Sequence, residues 1–125
     1  MIKNILLVGL GGGVGSIGRY LLQKWVYTLY PHPFPWGTFL VNVSGCFLIG
    51  LFYALAEKTS LLNFEWRLLL MVGLCGGFTT FSTFAFENVI LLRSGDITFF
   101  ILYIFASVLF GIAAVFGGIA LIKLL

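Results

Sequence analysis

The chain has 125 residues, of which 61% are hydrophobic and only 9% charged, with a formal net charge of +3. Soluble domains carry about a quarter charged residues, so a water-facing globule is excluded and an all-α integral membrane protein is indicated. The few charges are dispersed, with no basic run, and this excludes a nucleic-acid partner.

A helix needs roughly 20 mostly apolar residues to cross a bilayer, and four segments meet that length. The first runs from about Asn4 to Tyr27, with Arg19 and Lys24 making its second half polar. Gly13, Gly15 and Gly18 within it match G-x-G-x-x-G. A dinucleotide site also needs an acidic residue about 20 positions on and a βαβ context. Positions 33–42 hold no Asp or Glu and lead into another apolar span, so the match is accidental. The glycines are predicted to let helices approach closely instead. A cleaved leader is not indicated, because no A-x-A-like site follows and Arg19 interrupts the segment. Prolines 31, 33 and 35 cannot continue a helix and close the first span.

The second span covers about Trp36 to Ala56, the third about Trp66 to Leu92 and the fourth about Ile97 to Ile122. Short connections separate them, "EKTSLLNFE" and then "RSGD", so residues 1–125 read as a single four-helix transmembrane domain without room for a soluble one. Cys46 and Cys75 both fall inside apolar segments and read as small hydrophobes. There is no Cys/His cluster, and the lone His32 sits in the proline-rich loop, which argues against a zinc site.

Polar residues inside membrane spans are costly and mark functional sites by default. Thr38 and Asn42 stand four apart in the second span. Thr79, Thr83 and Glu87 continue at the same interval in the third, and Tyr103, Ser107 and Gly111 do so in the fourth. Residues four apart share a helical face, so three helices each offer a short polar stripe. The plain reading is that these groups hold the bundle together by interhelical hydrogen bonds. The alternative is a track of donors for an anion. Phe78, Phe81 and Phe84 recur every three residues along one side, and phenylalanine rings present a positive edge. The "GG" at 76–77 weakens helix continuity in mid-span and frees carbonyls. Broken transporter helices use such carbonyls to hold a cation, often sodium.

Lys and Arg in short flanking loops set orientation. Lys3, Lys58, Arg67 and Lys123 fall on one side of a four-span chain and Arg19, Lys24 and Arg93 on the other, four against three. Charge alone leaves open a weakly biased single orientation and insertion both ways round as an inverted pair.

These residues resemble the CrcB/Fluc fluoride channels. The resemblance rests on "GGFTTFSTF" (76–84), "GGGVGSIGRY" (11–20), "GTFLVNVSGCFLIG" (37–50) and the Tyr103/Ser107 pair, in order and over nearly the whole chain. It implies four transmembrane helices with the third broken mid-membrane, forming an antiparallel, dual-topology homodimer in the bacterial inner membrane. It implies passive export of toxic fluoride from the cytoplasm, and no enzyme. By the same resemblance Phe81 and Phe84 present ring edges to the pore, and Asn42 faces it with Thr38 on its track. Thr83, Tyr103 and Ser107 fall on the polar side of the path, and Arg19 and Glu87 at its vestibules. The backbone carbonyls of Gly76 and Thr79 fall where a structural Na⁺ sits at the dimer interface. The runner-up is a small dual-topology, proton-coupled multidrug transporter. It needs a membrane-embedded carboxylate in the first span, and that span has none.

Overall fold

The computed structural model describes all 125 residues as helices and short connections. Four helices are long and apolar enough to cross a membrane: α1 (Ile2–Leu29), α2 (Trp36–Lys58), α3 (Phe64–Arg93) and α4 (Ile97–Leu124). Helices α2 and α4 begin where expected, and the other ends run one or two residues further, because the boundaries are set by local stop signals. Pro31 follows Tyr30, whose N–H closes the last turn of α1 on Val26. Asn63 caps α3 by accepting from the Trp66 N–H at 3.0 Å. At the other end of α3 the Gly95 N–H bonds the Leu92 carbonyl and the Asp96 N–H the Leu91 carbonyl, with Gly95 at φ 81°. That is a Schellman closure, and its left-handed position favours glycine. Lys58 donates to the Ile122 carbonyl at 3.0 Å, beside the Leu125 N–H that the same oxygen accepts, and so ties the end of α2 to the end of α4.

The third span is not continuous. Residues 64–78 form its first half, with Leu68–Cys75 wound as a π-helix, and Phe81–Arg93 form its second half. Between them Thr79 (φ −85°, ψ 158°) and Thr80 (φ −148°, ψ 120°) are extended. The two glycines expected to break the helix stay inside it, with Gly76 at φ −62°, ψ −40°. The interruption comes at the two threonines that follow. Thr79 and Thr83 therefore do not share a helical face, and Phe78 belongs to a different half from Phe81 and Phe84.

Small residues set the packing. A Cβ at Gly11 would overlap the Leu69 carbonyl, one at Gly15 the Leu74 carbonyl, and one at Gly77 the Gly12 carbonyl. Helix α1 and the first half of α3 thus touch backbone to backbone, as small residues permit in membranes. Helices α2 and α4 do the same at Gly50 against Val115 and at Gly118 against Phe47. The proline-rich connection folds inward rather than merely turning. Phe34 is buried, with its ring edge-on to Tyr103 (5.4 Å) and Phe39 (5.8 Å). Outward, long apolar side chains such as Leu10, Val14, Phe105 and Phe116 stay exposed, as a lipid-facing surface requires.

Gly15→Ala is expected to destabilise the fold by about 1–3 kcal/mol through overpacking. Gly13→Ala, where nothing lies within 4 Å of the new methyl, is expected to be neutral or slightly stabilising. Thermal unfolding in detergent compares the two; equal midpoints would remove the close-contact role of Gly15.

Candidate functional site

The polar groups gather where α3 is interrupted. Backbone N–H and C=O groups that leave a helix at membrane depth must find new partners. Asn42, on α2, supplies both to Thr80. Its Nδ2 donates to the Thr80 carbonyl at 3.0 Å, and its Oδ1 accepts from the Thr80 N–H at 2.8 Å. The Thr80 hydroxyl then caps the second half of α3 by accepting from the Thr83 N–H at 3.2 Å. Helix α1 serves the other side of the break. Arg19 Nε donates to the Gly77 carbonyl at 3.1 Å, and Ser16 Oγ to the same oxygen at 3.5 Å.

Two carbonyls are left over. The Thr79 carbonyl has no hydrogen-bond partner within the chain. Gly76 loses the N–H that a continuous helix would bring to its carbonyl, because that donor, on Thr80, is turned to Asn42. Both residues border an open groove of about 390 Å³, together with Asn42, Phe81, Phe84 and Ser107. The Phe81 and Phe84 ring centroids lie 5.7 Å apart, and Phe84 meets Tyr103 edge-on at 4.8 Å. Phe81 is 78% exposed in the single chain. The Ser107 hydroxyl is buried beside these rings without a partner. Cys46 and Cys75 are free thiols on the same groove.

A second cavity, of about 270 Å³, opens on the other side of the second half of α3. Gln23, Tyr27, Thr38, Thr83 and Glu87 border it. Glu87 accepts from the Tyr103 hydroxyl on Oε1 (2.8 Å) and from the Thr38 hydroxyl on Oε2 (2.9 Å). Its carboxylate has no basic partner, since the one ion pair of the chain joins Lys3 to Glu65.

The structure thus divides the expected site residues into groups. Asn42, Phe81, Phe84, Ser107, Gly76 and Thr79 share the groove, whereas Thr38, Thr83 and Glu87 share the cavity. Tyr103 is fully buried between the two and spans from Phe84 to Glu87. Arg19 lies apart from Glu87, bound at the break. Three further contributors were not anticipated: Ser16, the capping hydroxyl of Thr80, and Gln23, whose Nε2 donates to Thr38 at 3.0 Å. Gln23 lies four residues after Arg19, and that spacing was the available signal.

Asn42→Leu would strand both backbone groups of Thr80, each at about 1–3 kcal/mol. Asn42→Asp keeps the acceptor but sets a second carboxylate oxygen against the Thr80 carbonyl, and should cost at least as much. Thermal midpoints in detergent rank the three proteins, and no loss in Asn42→Leu would show that the break is held by other means.

Comparison with known proteins agrees with this architecture. A family model described as "CrcB-like protein, Camphor Resistance (CrcB)" matches residues 6–119. A protein of Phocaeicola vulgatus named "Fluoride-specific ion channel FluC" is 52% identical over 118 residues, covering 94% of this chain and 97% of the relative. Proteins of the same name from Bacteroides fragilis (50% over 120 residues, 94% of each chain) and Leptospira interrogans (46% over 121 residues, 97% of this chain and 95% of the relative) are similar along their lengths. With four spans, an interrupted third helix and this full-length similarity, the chain is a multi-pass bacterial membrane protein, not an enzyme, and belongs to the CrcB/Fluc fluoride ion channel family.

Proposed function

We propose that this chain is a passive fluoride channel that carries F⁻ out of the cytoplasm, working as an antiparallel homodimer with a structural Na⁺ between the subunits. One observation carries the reading: the Ser107 hydroxyl, buried in an apolar groove beside Phe81 and Phe84, has no acceptor. A buried donor left unpaired costs about 1–3 kcal/mol, and an anion passing along the groove satisfies it. Fluoride is small and strongly hydrated, so a conducting path must replace its water with fixed donors. The positive edges of the Phe81 and Phe84 rings border the same groove. The names of the relatives support the identity of the ion.

The direction of transport follows from acid–base chemistry. HF crosses the bilayer as a neutral acid and dissociates inside. The membrane potential then drives F⁻ outward, by about 2.3 kcal/mol per elementary charge per 100 mV. No coupling ion is needed. The balance of four basic residues against three supports insertion both ways round. In an inverted pair the exposed Phe81 and the open groove face a second copy. The carbonyls of Gly76 and Thr79, short of donors, fit a hard monovalent cation. Bound there, Na⁺ supplies positive charge to backbone oxygens that would otherwise stay unpaired. The chain's own part is to hold those oxygens in place through Asn42 and the caps of the break.

Purified protein in liposomes, with valinomycin to clamp the voltage, is expected to release F⁻ but retain Cl⁻. Trapped F⁻ while K⁺ moves freely would defeat the channel reading. Efflux that requires a proton gradient would instead indicate a coupled exchanger. Phe84→Ile is expected to slow F⁻ efflux at least about tenfold, equivalent to about 1.4 kcal/mol of barrier, without dissociating the dimer.

The cation is tested separately from transport. In detergent, Na⁺ is expected to raise the thermal midpoint above that in the same concentration of N-methylglucamine. Equal midpoints across a wide Na⁺ range would remove the ion from the proposal and leave the pore untouched.

A further inference from the structure

We infer that Gln23 is a positioning residue, which fixes the direction of the Thr38 hydroxyl and through it the hydrogen bonding of Glu87; the functional half of this inference rests on the fluoride-channel reading. Gln23 Nε2 lies 3.0 Å from Thr38 Oγ1, which lies 2.9 Å from Glu87 Oε2, while the Tyr103 hydroxyl reaches Glu87 Oε1 at 2.8 Å. An amide NH₂ group only donates, and an ionised carboxylate only accepts. The hydroxyl between them has one hydrogen. With its oxygen occupied by Gln23, that hydrogen goes to Glu87. With the amide reversed, the hydroxyl hydrogen would turn back to the Gln23 oxygen. Thr38 and Glu87 would then face each other as two acceptors at 2.9 Å. The chain Gln23 to Thr38 to Glu87 therefore has one polarity: Glu87 can only accept, and Gln23, by donating to the hydroxyl oxygen, holds the hydroxyl in the rotamer that serves it.

The backbone places the amide. At this level α1 and α2 touch through Gly37, where an added Cβ would lie 3.2 Å from the Gln23 Cα. That close approach brings a side chain of α1 to a buried threonine of α2. Gln23, Thr38, Thr83 and Glu87 all border the same cavity. An anion reaching it therefore meets Thr38 with its hydroxyl hydrogen directed toward Glu87, while Tyr103 stays buried behind the carboxylate. It competes with the carboxylate for that donor, whose position Gln23 fixes. Gln23 itself need never touch the ion.

Gln23→Met keeps the length of the side chain and removes the amide. It is expected to raise the F⁻ concentration for half-maximal flux about fivefold, the loss of one neutral hydrogen bond's worth of alignment, with unchanged elution as a dimer. In a Thr38→Val background the same change is expected to alter that concentration less than about twofold, because groups acting through one another are not additive. Effects that multiply would make Gln23 a packing residue and overturn the inference. A readout independent of transport covers the case in which wild-type protein carries no fluoride. Infrared difference spectra of wild type minus Gln23→Met should contain a carboxylate stretching band, lost when both members of the pair also carry Glu87→Gln or Thr38→Val. Absence of that band, or its persistence in either background, would overturn the positioning role whatever the flux.

Discussion

The pairing of Asn42 with Thr80 is the contact on which the rest of the site depends. A membrane-spanning helix that stops for two residues exposes donors and acceptors where no water can take them. One amide on α2 matches both groups of Thr80, and its bonds of 2.8 and 3.0 Å fix the relation between α2 and the point of interruption. Arg19 and Ser16 hold the Gly77 carbonyl from α1. The interruption is thus pinned from two neighbours, and the second half of α3 leaves it in one direction. Phe81 and Phe84 then fall on the groove, and Thr83 and Glu87 on the cavity.

Most polar side chains within the spans have structural partners. Asn42 is engaged with backbone, Thr38 and Tyr103 with Glu87, and Asn88 Nδ2 with the Phe84 carbonyl. Buried networks of this kind specify one arrangement when every member is satisfied. Two buried side-chain atoms, Ser107 Oγ and Asn88 Oδ1, stand outside the accounting. The hydroxyls that stiffen the fold and the hydroxyl that offers a free hydrogen are chemically alike. Only their neighbours separate the two duties.

That separation marks the limit of what the sequence made legible. The four spans followed from composition and length, and the end of the first from its prolines; the Asn63 cap and the Gly95 closure came only with the structure. The glycine surface of α1 was readable in part: of Gly13, Gly15 and Gly18, Gly15 lies where backbones meet, whereas Gly13 has nothing within 4 Å and Gly18 meets only the Phe78 ring, and the close contact at Gly11 was not foreseen. The place of the break was not readable. Gly76 and Gly77 are poor helix formers, but Gly77 is required small by Gly12 and stays helical. The threonines leave the helix because Asn42, 38 residues earlier in the chain, offers Thr80 a better partner. Helical spacing assumes a continuous helix, so it placed Thr79 on one face with Thr83 and missed the change of surroundings between them. Gln23 escaped notice for a related reason: its importance comes from Gly37 on a different helix.

The pairing of the helices also bears on how the chain assembles. Helix α1 packs most extensively on the first half of α3, and α2 on α4, so the two largest helix contacts join spans that are not adjacent in the chain. As the spans enter the bilayer in order, Gly50 of α2 has no close partner until α4, the last of them, arrives. Asn42 meets Thr80 only once α3 is in place. Contacts distant in the chain form slowly, because loop closure must precede them. The fold therefore closes late and from the end. Until it does, Gly50 of α2 faces lipid instead of the Val115 backbone, which makes the arrival of α4 the step that commits this small protein to its native packing.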